Sequence, residues 1–196
     1  MNLEQAEKMV KKTLSRKRFT HTMNVKKAAV ELANRYGADP DKAALAAVLH
    51  DAAKEMPKDE MLRILQQNAI IAQNAQFRPT PVWHGVCAAI LAQTQWDITD
   101  PEVLSAIACH TTGKPGMSKL DKIIYLSDMI SEERDYPEVH QLRRMAQENL
   151  DTAVCTAVAM NLEWMRECGK TIDPLSEQAL LDLQRLTDPR EGNCHE

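Results

Sequence analysis

The chain has 196 residues, long enough for one domain with a sizeable core. Hydrophobic residues make up 44% but aromatics only 4%, with Ala, Leu and Met prominent; this favours helices packed through small side chains and excludes a strand-rich fold. The net charge of −4 excludes a large electropositive surface for DNA, leaving a local basic cluster, Lys11, Lys12, Arg16, Lys17 and Arg18, that reads as a solvated helix end or an anion-facing patch.

Helical periodicity runs almost end to end. Residues 3–14 fit a first helix. From about 18 to 36, Val25, Ala28, Ala29, Leu32 and Tyr36 form one stripe, which His21 joins four residues before Val25. Gly37 ends this helix, and Asp39-Pro40 opens the next. That helix is Ala-rich, carries the doublet His50-Asp51 and stops near Pro57. Residues 58–67 read as an amphipathic helix, 68–81 as a loop, and 83–95 as a helix with His84 in its first turn. Asp100-Pro101 starts a helix with Val103, Ala106, Ile107 and His110 on one face, followed by a polar turn from Thr111 to Gly116. Residues 117–131 resume a helix in which Leu120, Ile124 and Asp128 are spaced four apart. The apolar pattern over 138–166 predicts one long helix, whose exposed side offers a surface for a homodimer. Asp173-Pro174 starts a last short helix, and the tail 191–196 is expected to fray. The expectation is an all-α bundle forming one domain over 1–196, with a core at about 11–135 and a helical extension over 136–190.

The five cysteines are odd in number and contain no CxxC pair, which fits a reducing compartment. The N-terminus lacks the apolar core of a signal peptide, and no apolar run approaches the ~20 residues of a membrane span. The chain reads as cytoplasmic, with no membrane partner.

Four of the six histidines (His21, His50, His84 and His110) lie in or beside apolar segments, as do Asp51 and Asp128. A charged Asp on a core stripe is costly unless paired or metal-bound. Singly, each has a plainer reading: a hydrogen-bonded structural histidine, or Asp128 paired with Arg134. Together they form a His/Asp set suited to a divalent transition metal. His140 and His195 lack such a context and read as surface residues. Lys54 and Arg18, one helical turn from His50 and His21, can face the same pocket and neutralise phosphate. Lys114, between Gly113 and Gly116, offers a weaker phosphate signal.

The segments KRFTHTMNVKKAAVELANRYG, DKAALAAVLHDAAKE, WHG and HTTGKPGMSKLDKIIYLSD, with Arg134, resemble the YqeK-type hydrolases of the HD superfamily. The resemblance implies an all-helical HD-domain bundle and a centre of one or two irons, with manganese as an alternative. It implies symmetrical hydrolysis of diadenosine tetraphosphate, and of related dinucleoside polyphosphates, to two nucleoside diphosphates such as ADP by a metal-activated water. On this reading His21, His50, Asp51 and Asp128 are metal ligands. His84 and His110 hold a second metal or touch phosphate. Arg18, Lys54, Thr111 and Arg134 face the nucleotide, and Asp51, Lys54, His84 and His110 take part in catalysis. The family often reads Ala-Asp-x-Ile-Glu-Pro-x-Arg after the last ligand, where this chain has Ser131 and Glu132 in place of Glu and Pro. Other HD nucleotide hydrolases (a nucleotidase or an alarmone hydrolase), a di-iron oxygenase and a nucleotide-binding regulator stay open on the same residues.

Overall fold

A computed structural model describes residues 1–72 and 74–188, the side chains of Ile70 and Ile71 excepted. The frayed tail expected at 191–196, with His195, lies outside the described residues. Among those described, all regular structure is helical. The α-helices are α1 (Leu3–Thr13), α2 (Arg16–Tyr36), α3 (Pro40–Leu49), α4 (Lys58–Gln67), α5 (Ala69–Ala72), α6 (Trp83–Thr94), α7 (Pro101–Cys109), α8 (Lys119–Ile130), α9 (Val139–Glu148), α10 (Leu150–Glu167) and α11 (Pro174–Thr187).

Local chemistry sets most of these boundaries. Asp39, Asp100 and Asp173 each accept from backbone N–H groups of the turn they open, and the proline that follows occupies the first helical position, where its missing N–H costs nothing. Ser118 and Asp121 form a reciprocal capping box that starts α8. Gly37 ends α2 at φ 66°, a left-handed conformation that a side chain would strain.

α3 lies at the centre. Ala43, Ala44, Ala46, Ala47, Val48 and Leu49 are all buried, and the helix packs against α1, α2, α6, α7 and α8. Its alanines let those neighbours approach closely. α6 is apolar around most of its circumference and is buried from His84 to Ala92. The hydrophobic core is continuous from Ala6 of α1 to Leu183 of α11.

Three segments differ from expectation. The helix expected to run through His50-Asp51 to near Pro57 ends at Leu49, and residues 50–55 continue as turns. In place of a loop over 68–81, the described residues there include α5 and 3-10 turns at Ala75–Phe77 and Thr80–Val82. The stretch 138–166 is two helices, because Asn149 adopts an extended backbone (φ −151°, ψ 118°) and its side chain caps α10 by accepting from the Thr152 N–H. Leu142, Ala146, Leu150, Ala153 and Val154 are buried on both sides of the break, so the apolar stripe runs through it unaltered.

Candidate metal centre

The two histidines that end helices are held in the same way. His50 caps α3 and His110 caps α7. Each directs Nδ1 at the carbonyl three residues back: His50 to Ala47 O at 2.6 Å and His110 to Ile107 O at 2.8 Å. Carbonyls in a last helical turn lack an intrahelical partner, so this contact satisfies both groups. His84, in the first turn of α6, does likewise with Pro81 O at 2.9 Å. A carbonyl only accepts, so Nδ1 carries a proton in all three rings, which leaves Nε2 as the atom a ring can offer to a metal. Gly85 makes room for this: a Cβ there would stand 3.2 Å from His110 Nδ1 and from Ala108 O.

The three Nε2 atoms converge on Asp51, which is 2% exposed. Asp51 Oδ1 lies 3.1 Å from His84 Nε2 and 3.6 Å from His110 Nε2, while Oδ2 lies 3.5 Å from His50 Nε2 and 3.7 Å from His21 Nε2. His84 Nε2 and His110 Nε2 are 3.1 Å apart. His21 Nε2 also lies 3.1 Å from Asp128 Oδ1. Lone pairs facing a carboxylate and one another repel unless a cation or proton lies between them. His21 Nε2, His50 Nε2 and Asp51 Oδ1 are buried without a hydrogen-bond partner. The donor set therefore fits a divalent cation. Three overlapping groups have ligand atoms within 4.8 Å of one another: His21, His50 and Asp51; His50, His110 and Asp128; Asp51, His84 and His110. Asp51 belongs to the first and third, so it can bridge two ions. Mixed imidazole and carboxylate donors suit a transition metal.

Cations surround the cluster. Arg18 donates to Asp51 Oδ2 at 2.7 Å, and Lys54 Nζ lies 3.1 Å from His84 Nε2 and 3.7 Å from Asp51 Oδ1. Lys54 gets there from the irregular turn after α3, not from a continued helix. Arg134 donates to the Asp128 carbonyl at 2.9 Å and to its Oδ1. Thr111 Oγ1, next to His110, is buried and unpartnered. Lys114 donates to Ser105 Oγ at 2.7 Å, with Asp121 Oδ2 at 3.3 Å. His140 is exposed, as expected.

One residue had no signal in the sequence. Glu133 follows α8 and accepts through Oε1 from His21 Nδ1 and from Ser131 Oγ (2.7 Å), and through Oε2 from Asn24 (2.6 Å). It belongs to no apolar stripe, so periodicity passes over it.

The electrostatics match this layout. Burial pushes His50 and His84 down to about 4, so both are neutral near pH 7. Burial also lowers His21, but Asp128, Glu133 and Asp51 outweigh it and raise it above 6.5. Burial raises Asp51 and Asp128, yet the neighbouring histidines, with Lys54 at Asp51 and Arg134 at Asp128, hold both below the usual carboxylate range.

A pH dependence follows for protein freed of metal. Between pH 6.5 and about 4, the unfolded chain takes up protons at His50 and His84 that the folded chain refuses. Stability from these two rings is thus present above pH 6.5 and lost as pH falls, by up to about 1.4 kcal/mol per pH unit for each ring. His21 acts in the opposite sense: its contribution is present below 6.5 and is lost as pH rises through its raised value. The urea midpoint of chelator-treated protein should fall between pH 7 and 4.5. A midpoint flat over that range would mean the two rings are not held neutral.

The HD domain matches residues 18–133, which spans the cluster from Arg18 to Glu133. A symmetrical bis(5'-nucleosyl)-tetraphosphatase of Bacillus subtilis is 36% identical over 174 residues, covering 89% of this chain and 93% of the relative. Its namesake in Halalkalibacterium halodurans is 37% identical over 174 residues, covering 89% and 92%. A Clostridium acetobutylicum crystal structure, described as a predicted HD superfamily hydrolase involved in NAD metabolism, superposes with a TM-score of 0.86 at 30% identity, covering 95% of this chain and 98% of that one. With a helical fold, a converging His/Asp cluster and this degree of likeness over most of its length, the chain belongs to the HD-domain family and, within it, to the group of symmetrical bis(5'-nucleosyl)-tetraphosphatases.

Proposed function

We propose that the His/Asp cluster is the active centre at which this enzyme cuts diadenosine tetraphosphate, or a related dinucleoside polyphosphate, in the middle to give two nucleoside diphosphates. The observation that carries the reading is the convergence of buried imidazole nitrogens on Asp51 beside Arg18 and Lys54, with Arg134 on Asp128. A hydrolase of phosphoanhydrides needs that pairing of donor set and positive charge.

His21, His50, Asp51 and Asp128 would hold one divalent ion, iron or manganese, and Asp51, His84 and His110 a second. Such an ion supplies Lewis acidity and lowers the pKa of water. The chain's own residues supply the rest. Arg18 and Lys54 flank Asp51 and offset charge on phosphoryl oxygens; Arg18 can do so with two parallel donors. Lys54, beside His84 Nε2, is also placed to hold a proton near the scissile bridge. Arg134 ties Asp128 to a cavity of about 630 Å³ lined also by Met129, Tyr136, Met160 and Trp164, which offers a nucleoside apolar walls and two aromatic rings. Lys114 would have to leave Ser105 and Asp121 to meet a phosphate. We further propose that the described helices act as one domain, since their core is continuous, and that the enzyme works in the cytoplasm. No helix among the described residues is long and apolar enough to cross a membrane. The sequence reading of a homodimer through the exposed side of α9 and α10 stands as a proposal.

The test is product analysis in oxygen-18 water with metal-loaded protein. The expected result is ADP alone, with one labelled oxygen per two ADP formed. AMP plus ATP would mean asymmetric cleavage and defeat the assignment.

A further inference from the structure

We infer that Glu133 is a positioning residue that orients His21 and strengthens it as a metal donor. The inference rests on the metal-centre reading above. His50, His84 and His110 each fix their rings on a carbonyl three residues back in their own chain segment. His21 has no such option. It lies inside α2, where the carbonyls one turn back already accept helical N–H groups. Its Nδ1–H turns instead to another element, where its partner is the Glu133 carboxylate.

The carboxylate is itself held on several sides. Asn24, one turn beyond His21 on α2, donates to Oε2 at 2.6 Å, and Ser131 donates to Oε1 at 2.7 Å. Arg143 of α9 straps the segment that carries it, donating to Ile130 O at 3.0 Å, Ser131 O at 2.7 Å and Arg134 O at 3.1 Å. So Glu133 is preorganised before any ion arrives. A charged acceptor on Nδ1 raises the electron density at Nε2 more than a neutral carbonyl does. His21 therefore differs in kind from the other three rings, and the ion that shares His21, His50 and Asp51 gains from it.

The experiment is Mn(II) titration of chelator-stripped full chain, with free Mn(II) read by electron paramagnetic resonance. Helical content and metal-free melting temperature are recorded alongside. Glu133→Ala should weaken the tightest Mn(II) binding by about 10–100-fold, the range for loss of such a partner. Glu133→Gln keeps an acceptor oxygen but no charge, and should fall between. A purely structural role would lower the metal-free melting temperature and leave the affinity of the folded protein alone; that result overturns the inference. If Glu133→Ala fails to fold, Glu133→Gln decides: wild-type affinity overturns the inference. A wild-type chain that binds no Mn(II) overturns the metal-centre reading itself, and is told apart because there is then no affinity for the variants to change.

Discussion

Asp51→Asn should lose the metal and more than about 100-fold of turnover while keeping its helical content. The magnitude is set from below: removing a mere outer partner of a ligand costs up to about 100-fold, and Asp51 is shared between two of the three ligand groups. Asn preserves the volume of a residue that is 2% exposed, so no cavity opens. It removes the charge toward which His21, His50, His84 and His110 turn. Arg18 loses its partner but is 30% exposed at the side chain and can turn to water, so the fold survives. Metal analysis, circular dichroism and product assay on the same preparation check this. Full metal content with normal turnover would refute the assignment of Asp51.

His110→Ala should retain one metal and slow hydrolysis by about 100-fold or more, the order a positioned imidazole contributes. His110 belongs to the ligand group with Asp51 and His84 and to that with His50 and Asp128, whereas the group of His21, His50 and Asp51 does not need it. The substitution frees the Ile107 carbonyl and empties space beside Gly85, so some loss of stability is also expected. The two effects separate when activity is expressed per folded molecule. If that specific activity matches wild type, His110 serves the fold alone.

Much of this protein was legible in its sequence. Asp-Pro at 39–40, 100–101 and 173–174 and Gly37 mark helix ends because capping is a contact between residues two to four apart. The six metal-ligand candidates stood out because His and Asp on apolar stripes need a reason to be there, and the structure brings all six into one cluster. The all-helical class followed from composition and period. The remainder depended on contacts between distant segments, which no local pattern encodes. Asn149 breaks a helix that the apolar stripe carries straight through, because packing sees only the buried face. Lys114 follows a ligand closely in sequence, and in the fold its ammonium meets Ser105 and Asp121, a pairing no local pattern shows. Glu133 reaches His21 across 112 positions, a pairing decided by where α8 ends against α2. Residue types and helical spacing thus fixed which groups are available to a metal. Tertiary packing decided which way each ring points and which charges remain free for a phosphate, because those depend on the competition among all neighbours that meet in the folded core.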